Sequence, residues 1–212
     1  MTGRVEAVCV VHADVPLGRR GVGDSAIDKR PVTGPVVIGE LGLAGDRSRD
    51  TKFHGGIDQA VYAYDDAEAR RWASELGRDV PPGWFGENLR TSAVAVTDAV
   101  VGSRWRVGTT VLEVTIPRNP CGTFARWTGE PRWVRRFTER GDVGAYLKVI
   151  EAGSLAAGDT VVVESVPDHG VTVRDLFEGS DVDGLRRLLE TPNLAVKVER
   201  DVRAALGIRT KS

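Results

Sequence analysis

The sequence predicts an α+β fold in which β-strands predominate, and three observations lead to this prediction. The 212 residues include 25 glycines and 10 prolines, which favour turns and interrupt helices, so many short elements are expected. Valine-rich runs with strand-like alternation recur along the chain as far as Val166. After Pro167 this pattern almost disappears, and the apolar residues fall at helical spacing. Hydrophobic residues make up 41% of the chain, which is enough for a packed core.

The predicted strands are short segments bounded by glycine, proline or polar residues. The first is rich in valine, which favours a strand. Two later segments flank Gly108-Thr109 and predict a β-hairpin, whose second strand ends at Pro117. In chain order, strands are expected at residues 4–11, 35–38, 60–64, 94–101 with a bend, 104–107, 110–116, 145–150 and 160–166.

Three segments lack a regular apolar period and are expected to be loops or turns. Residues 14–31 are rich in Gly, Asp and Arg, and residues 39–56 are polar and punctuated by glycine. A long loop in a compact domain is usually functional or disordered. Residues 80–88 contain two prolines and two glycines and are expected to turn.

A helix is predicted to follow the third strand. Asp65 can cap its N-terminus, with Glu68 placed three residues later as in a capping box, and Gly77 can end it. Its apolar face consists of Ala69, Trp72, Ala73 and Leu76. A second helix is expected at residues 131–140, before a glycine at position 141.

The last part of the chain is predicted to form three helices. Thr172 and Asp175 mark the start of the first, Leu185 begins a leucine cluster in the second, and residues 193–206 supply the third. We therefore expect a β-rich domain over residues 1–167 and a helical extension over residues 168–212.

Composition and charge argue against several classes of protein. The 29 basic and 30 acidic side chains give a net charge of −1, so no nucleic-acid partner is expected. No apolar run of about eighteen residues occurs, and the N-terminus does not resemble a signal peptide, so no membrane association is expected. Two cysteines are too few for a secreted disulfide scaffold, which favours a reducing cytoplasm. The three histidines are scattered and no Walker or G-x-G-x-x-G loop occurs, which argues against structural zinc and nucleotide folds.

Cys121 is the first candidate for a chemical role. It follows Pro117-Arg118-Asn119-Pro120, where two prolines stiffen the chain and Arg118 can favour the thiolate. A lone cysteine is more often a buried structural residue. That interpretation suits Cys9, which lies within a predicted strand, but not Cys121, whose neighbours are polar or turn-forming.

The segment Lys52-Phe53-His54-Gly55-Gly56 is the second candidate. Gly55 and Gly56 let the backbone approach a ligand closely, and N–H groups there can meet an oxyanion or a phosphate. His54 can donate a proton or a hydrogen bond. Taken alone, the pattern favours an ordinary glycine turn with an exposed histidine.

Two further side chains are candidates for ligand binding only in combination with the residues above. Asn88 offers both a donor and an acceptor for the edge of a heterocycle, and Lys29 can pair with a phosphate. Taken alone, Asn88 suits an ordinary turn and Lys29 suits a solvated surface.

Together these segments resemble one family, the MOSC domain, named after the C-terminal domain of molybdenum cofactor sulfurase. Their order and spacing are similar to those of the stand-alone bacterial branch called YiiM-type, and the terminal helices resemble the three-helix extension of that branch. The resemblance covers nearly the whole chain. The segments that carry it are residues 25–32, Gly45-Asp46, His54-Gly55-Gly56, Phe85-Gly86-Glu87-Asn88-Leu89, Pro117-Arg118-Asn119-Pro120-Cys121, residues 144–149 and Gly158-Asp159.

The resemblance implies a MOSC-type β-barrel with peripheral helices and a small C-terminal three-helix extension. It implies that Cys121 binds the metal of the molybdenum cofactor (molybdopterin) or accepts sulfur. The chemistry of the imidazole makes His54 the second catalytic candidate, which would deliver a proton. Members of the branch are linked to reduction of N-hydroxylated compounds, including hydroxylaminopurines, and the family is also associated with pyridoxal phosphate. By position, the residues implied to hold the pterin, its phosphate or the small-molecule substrate are Lys29, His54, Asn88 and Arg118. The backbone argument adds Gly55 and Gly56 to the predicted cofactor-binding residues.

Several alternatives stay open at this point. The chain has no flavin or iron–sulfur motif, so a separate reductase is expected to supply electrons. Cys121 could instead carry sulfur as a persulfide, or the chain could be a non-catalytic adaptor that docks a partner through its terminal helices. Either a monomer or a homodimer fits the sequence. Gly122 departs from the family pattern, where a bulkier residue is expected, and would widen the pocket or loosen the loop.

Overall fold

The computed structural model describes residues 2–16, 24–48 and 55–208. In these ranges the strands form two sheets, and helices lie between and after them. The strands are β1 (Thr2–Val15), β2 (Ser25–Pro31), β3 (Val36–Gly39), β4 (Gly42–Leu43), β5 (Val61–Asp65), β6 (Leu89–Ser92), β7 (Arg104–Val107), β8 (Thr110–Pro117), β9 (Ala145–Glu151), β10 (Gly153–Leu155) and β11 (Thr160–Ser165). The helices are α1 (Asp66–Leu76), α2 (Gly122–Thr128), α3 (Trp133–Arg140), α4 (Val173–Glu178), α5 (Val182–Leu189) and α6 (Val196–Ala205), with a 3-10 turn at Ile57–Gln59.

Seven of the described strands close into a β-barrel. Their order is β11-β7-β8-β9-β5-β6-β1, and β1 pairs again with β11 to complete the ring. Neighbours run antiparallel except β5 and β6, which are parallel. Trp105, Leu112 and Leu147 from these strands are fully buried in the core. The expectation of a mostly β fold built on a barrel is thus confirmed.

β1 extends beyond the barrel and forms a ribbon with β2. Its first half pairs with β11 and β6, and its second half pairs with β2 from Cys9 to Val15. Residues 25–31 are therefore a strand, and the prediction of a loop there was wrong. The segment contains Asp28, Lys29 and Arg30, which are not strand formers, so its conformation depends on the hydrogen bonds that β1 supplies. The remainder of that predicted loop includes residues 17–23, outside the described ranges.

Residues 94–101 are not a strand, contrary to the prediction. Ala93 has a φ of 56°, and the segment continues as bends and turns with one bridge, from Val100 to Thr172. Val94, Val96 and Val101 are nevertheless buried. The valines that suggested a strand therefore pack into the core from irregular backbone.

The predicted hairpin and the first predicted helix are confirmed. β7 and β8 pair across Gly108-Thr109. The Asp65 carboxylate accepts hydrogen bonds from the N–H groups of Ala67 and Glu68 at the start of α1, and Gly77 ends the helix with a φ of 62°. Glu68 does not complete the expected capping box, because its side chain is buried and accepts a hydrogen bond from Thr97.

The sequence predicted helices at the positions of α3 to α6 but not at α2. α2 begins at Gly122. Glycine has a low helix propensity, so residue preferences alone do not predict a helix here. Thr172 and Asp175 form the expected capping box at the start of α4. α4 and α6 pack against β8 of the barrel, while the division of the chain at residues 167 and 168 stays a prediction. Among the helices of the described ranges, none combines the length and the apolar character needed to cross a membrane.

Candidate functional site

A cavity of about 170 Å³ lies where the β1–β2 ribbon meets the barrel. It brings together five of the predicted site residues, which come from distant parts of the chain. Those residues are Lys29, Gly55, Asn88, Arg118 and Cys121. Gly56 is next to this wall but does not line it, and His54 lies outside the described residues.

Lys29 enters the cavity from β2 as half of a buried ion pair. Its Nζ atom lies 2.6 Å from Oδ2 of Asp46, and each side chain is only 11% exposed. Burial lowers the pKa of Lys29, and the Asp46 carboxylate opposes that shift. Asp46 also accepts a hydrogen bond from the Val11 N–H at 3.1 Å, so the pair is tied to β1. The sequence analysis had noted Asp46 within a family segment without giving it a role.

The side-chain amide of Asn88 forms its hydrogen bonds with neighbouring groups of the protein. Its Nδ2 atom donates to Oδ2 of Asp46 at 2.8 Å and to the Cys9 carbonyl at 3.2 Å. Its Oδ1 atom accepts from the Tyr62 N–H at 3.0 Å. Because both amide protons are used, the geometry favours a role in holding Asp46 and joining β1 to β5. The predicted contact with a heterocycle stays a prediction.

Gly83 brings the turn before β6 against β2 and so helps to place Lys29. A Cβ atom at Gly83 would lie 2.1 Å from the Lys29 carbonyl oxygen, and φ there is +90°. The buried Glu87 carboxylate holds this turn by accepting from the N–H groups of Gly83 and Phe85 at 2.8 and 3.0 Å. Glu87 also forms a buried ion pair with Arg90 at 2.5 Å. The sequence analysis quoted Glu87 as part of a motif but did not predict this structural role.

Arg118 is a buried cation without a carboxylate partner in the ranges that the structure covers. Its guanidinium carbon lies 4.4 Å from the ring centroid of Phe124 and 5.1 Å from that of Tyr62, so it packs between two aromatic faces. The side chain is 7% exposed, and its buried Nε atom has no hydrogen-bond partner among the described residues. Burial works against the charge, but Tyr146, Tyr62 and Cys121 outweigh it and raise the pKa of Arg118. This geometry leaves one directed donor available to a ligand.

Two tyrosines that the sequence analysis did not single out form part of the cavity wall. Tyr62 and Tyr146 lie with ring centroids 5.1 Å apart, and both line the cavity. Burial raises the pKa of both phenols, so both stay neutral. The Tyr62 hydroxyl donates to the Val143 carbonyl at 2.8 Å. Tyr146 lies within the family segment 144–149, which was the only signal that could have indicated it.

The two cysteines differ in the way the sequence predicted. Cys9 is fully buried, and burial raises the pKa of its thiol to about 12. Cys121 is half-buried, lines the cavity, and occupies the N-cap position of α2 with extended backbone (φ −129°, ψ 170°). Cys121 is close enough to Arg118 that its thiolate form would raise the pKa of the guanidinium. Cys121 is therefore the accessible sulfur of the site.

Gly55 and Gly56 both adopt positive φ angles, of 77° and 82°. Glycine reaches this region without the steric cost that a Cβ atom imposes, which explains the residue type at both positions. Gly55 lines the cavity opposite Ser48, whose Cβ atom would lie 3.1 Å from a Cβ at position 55. The two glycines thus lie beside the site, while residues 52–54 of the predicted turn lie outside the described ranges.

Comparisons with known proteins identify the family and the fold of the chain. The family model described as "MOSC domain" matches residues 50–162. Protein YiiM of Escherichia coli is 33% identical over 181 residues, which span 81% of this chain and 80% of that protein. A Gibberella moniliformis protein named "Reductase" is 32% identical over 145 residues, 65% of this chain but 25% of that protein. The crystal structure of YiiM from Geobacillus stearothermophilus superposes with a TM-score of 0.77 over 96% of this chain and 99% of that one, at 22% identity, which shows a shared fold.

Proposed function

The chain belongs to the MOSC domain family, and on that premise we propose that it binds the molybdenum cofactor in the cavity beside Cys121. We propose further that it reduces small N-hydroxylated substrates such as hydroxylaminopurines with electrons from a separate reductase. Neither the family model nor the relatives name pyridoxal phosphate, so the expectation of that cofactor has no support.

The observation that carries the proposal is Arg118, a buried cation beside an accessible thiol, whose Nε atom lacks a hydrogen-bond partner in the part of the chain that the structure describes. A buried donor without an acceptor is costly, and proteins normally supply it with a hydrogen-bond partner. The phosphate and dithiolene groups of a pterin cofactor are anionic, so they match the donor that Arg118 presents. Lys29 adds a second cation to the same cavity, although Asp46 already balances it.

The metal ligands available from the protein also fit this cofactor. No group of three or more His, Cys, Asp or Glu side chains in the described ranges is arranged to hold a bare metal ion. A single soft thiolate at Cys121 suits a metal whose other ligands come from the cofactor itself. When bound, the molybdenum cofactor supplies two-electron oxygen-atom transfer.

The residues of the chain would divide the remaining work between them. Cys121 would bind the metal, and Arg118 would orient the anionic part of the cofactor through Nε. Tyr62 and Tyr146, being neutral and buried, would keep water from one side of the cavity and strengthen the field of the two cations. His54, by the sequence argument, would deliver the proton that leaves with the oxygen.

A separate reductase follows from the electron balance. Reduction of an N–OH group needs two electrons and two protons and releases water, and no flavin or iron–sulfur motif is present in this sequence to supply the electrons. The relative named "Reductase" is about four times the length of its match to this chain, so it joins a domain of this kind to further sequence. We propose a reducing cytoplasm as the setting, because Cys121 must remain a thiolate to bind the metal.

The test is elemental analysis of the chain purified from a host that makes the cofactor. Wild-type protein should contain about one molybdenum per chain and, with an added flavin reductase, should reduce hydroxylaminopurine. Cys121→Ser should lose both properties, whereas Cys9→Ala should keep both because Cys9 is remote from solvent. A Cys121→Ser protein with normal metal content and turnover would overturn the proposal.

The same sample distinguishes the other function that an accessible thiol allows. Persulfide on Cys121 adds one sulfur to the mass of the intact protein. That mass shift without molybdenum would identify a sulfur carrier and would reject the reductase.

A further inference from the structure

One residue of the C-terminal extension reaches the wall of the cavity. Lys197, near the start of α6, donates from Nζ to the Gly55 carbonyl at 2.7 Å and to Oε1 of Gln59. Its backbone N–H donates to Oδ2 of Asp58 at 2.9 Å. Gly55 and Gln59 both line the cavity. A single lysine thus bonds to three residues of the five-residue segment 55–59.

This segment needs external support to hold one conformation. Gly55 and Gly56 give it more backbone freedom than any other residue pair would. On the barrel side, the Thr115 hydroxyl donates to the Asp58 carbonyl at 2.6 Å. Lys197 supports the segment from the side of α6, so the two contacts restrain it from different elements.

The bonds of Lys197 differ from those of an ordinary surface lysine. Within residues 2–16, 24–48 and 55–208, no carboxylate forms an ion pair with its Nζ atom, which donates instead to a backbone carbonyl and a side-chain amide oxygen. Both acceptors are neutral, so hydrogen-bond geometry contributes more to this contact than attraction between opposite charges. Nearby Asp58 and Asp201 favour the ammonium electrostatically, while burial and Arg200 disfavour it.

The hydrogen bonds from Lys197 also determine the direction of two N–H groups, one on Gly56 and one on the Gln59 side chain. In a trans peptide the carbonyl and the following N–H point in opposite directions, so holding the Gly55 carbonyl turns the Gly56 N–H away from α6. An ammonium can only donate, so it holds Oε1 of Gln59 toward α6 and turns the Nε2 donors away. Lys197 thereby directs two N–H donor groups away from the extension.

We propose that Lys197 is a positioning residue, which fixes Gly55 and Gln59 in the cavity wall and through them strengthens the binding of an anionic ligand. The identity of that ligand as the molybdenum cofactor rests on the proposed function. The extension is then part of the binding apparatus, because a residue of α6 determines the conformation of the wall.

Hydrogen exchange of the cofactor-free chain tests the positioning role directly. Lys197→Met keeps the length of the side chain and removes its donors, so amides in residues 55–59 should exchange about tenfold faster, the change expected for one lost hydrogen bond. Lys197→Arg retains donors and should restore most of the protection. Arg203→Met is the matched control, because it removes a cation of the same helix whose side chain, among residues 2–16, 24–48 and 55–208, bonds only to Glu199.

A second readout follows the ligand. Molybdenum retained after purification should fall in Lys197→Met and return in Lys197→Arg, while Arg203→Met keeps the wild-type content. Unchanged exchange at residues 55–59 in Lys197→Met would overturn the inference whatever the metal content. If Lys197→Met loosens the whole chain, Lys197→Gln replaces it, and a uniform rise in exchange there would also count against a local role. Wild-type protein without molybdenum would reject the proposed function alone, since the exchange result does not need the cofactor.

Discussion

At the scale of single residues, the site contains polar side chains that are hydrogen-bonded within the protein and one, Arg118, that has a donor without a partner among the described residues. Asn88 and Lys29 have all or most of their polar atoms bonded within the protein. Arg118 keeps a buried donor unbonded, although burial without a partner costs free energy. Such a cost is usually tolerated where a ligand completes the bonding. Arg118 is therefore the residue at which a substitution should reduce binding much more than stability.

Replacing Arg118 with methionine should separate these two properties. Arg118→Met keeps a side chain of similar length between the rings of Tyr62 and Phe124 and removes the charged donor, so the free energy of unfolding should stay within about 1 kcal/mol of the wild-type value. Molybdenum content should fall at least about tenfold, because the charged donor is worth about 1.5–3 kcal/mol to an anion. Urea unfolding and elemental analysis measure the two effects. Arg104→Met, at an exposed ion pair of β7, is the control and should leave the metal content unchanged. A strongly destabilised Arg118→Met protein with full metal content would contradict this assignment.

Glu68 is a second residue whose surroundings set its behaviour. It is 5% exposed, and burial raises its pKa from the ordinary 4.5 to about 8, while the Thr97 hydroxyl bond at 2.9 Å opposes the shift. The folded chain thus holds a proton on Glu68 that the unfolded chain has released between these two pH values. The stabilisation from this group is fully present below about pH 4.5 and is lost as the pH rises through 8.

Glu68→Gln should therefore change the pH dependence of stability. The variant keeps the acceptor for Thr97 and removes the ionisation. Its free energy of unfolding should match that of wild type near pH 5 and exceed it by about 1 kcal/mol or more near pH 8. Urea unfolding at several pH values measures the difference. A difference that does not vary with pH would show that Glu68 ionises normally in the folded chain.

At the scale of elements, the position of β2 relative to the barrel determines the cavity. β2 pairs with the outer half of β1, and the turn that contains Gly83 packs against the Lys29 carbonyl. The contact is possible because Gly83 has no Cβ atom. Any side chain at this position must push β2 outward and carry Lys29 with it.

Gly83→Ala tests that packing against a matched glycine. Gly34→Ala also places alanine at a positive φ, of 79°, but its Cβ atom would meet nothing within 4 Å. Both variants lose stability from backbone strain, and Gly83→Ala should lose about 1–3 kcal/mol more because of the added clash. Urea unfolding measures both, and elemental analysis should show a metal loss in Gly83→Ala only. Equal losses in the free energy of unfolding in the two variants would mean that β2 moves to accommodate the added Cβ atom without loss of stability.

At the scale of the whole molecule, closure of the barrel gathers residues that lie far apart in the chain. Lys29 comes from the ribbon, Arg118 and Cys121 follow β8, and Tyr146 belongs to β9. The extension contributes Lys197. α4 and α6 pack against β8, and they bury Val173 and Val202 completely. The barrel and the extension are thus in direct contact at the strand that leads to the site.

Truncation after Pro167 should consequently destabilise the remaining barrel. The residues removed include Val173, Leu176, Val198 and Val202, all buried, and each buried aliphatic side chain contributes about 1.5–3 kcal/mol. The truncated chain should unfold at markedly lower urea concentration or aggregate on size-exclusion chromatography. A truncated chain as stable as the full one would establish residues 1–167 as an independent domain. It would favour the alternative in which the terminal helices dock a partner.

Features that depend on neighbours in the chain were determined by the sequence itself. The Asp65 cap, the helical face behind it and the Gly77 stop predicted α1, because a helix bonds within its own segment. Gly108-Thr109 predicted the hairpin for the same reason. The polar, turn-forming neighbours of Cys121 distinguished it from Cys9, and the ordered family segments predicted the barrel.

Only the tertiary structure decided the features whose partners lie elsewhere in the chain. β2 is a strand because β1 offers it hydrogen bonds, and residues 94–101 are bent although their valines are buried. Asn88 bonds to Asp46 instead of facing a ligand, and Lys197 reaches the cavity from the far end of the chain. Burial and hydrogen-bond partners arise from residues distant in sequence, so no local pattern specifies them.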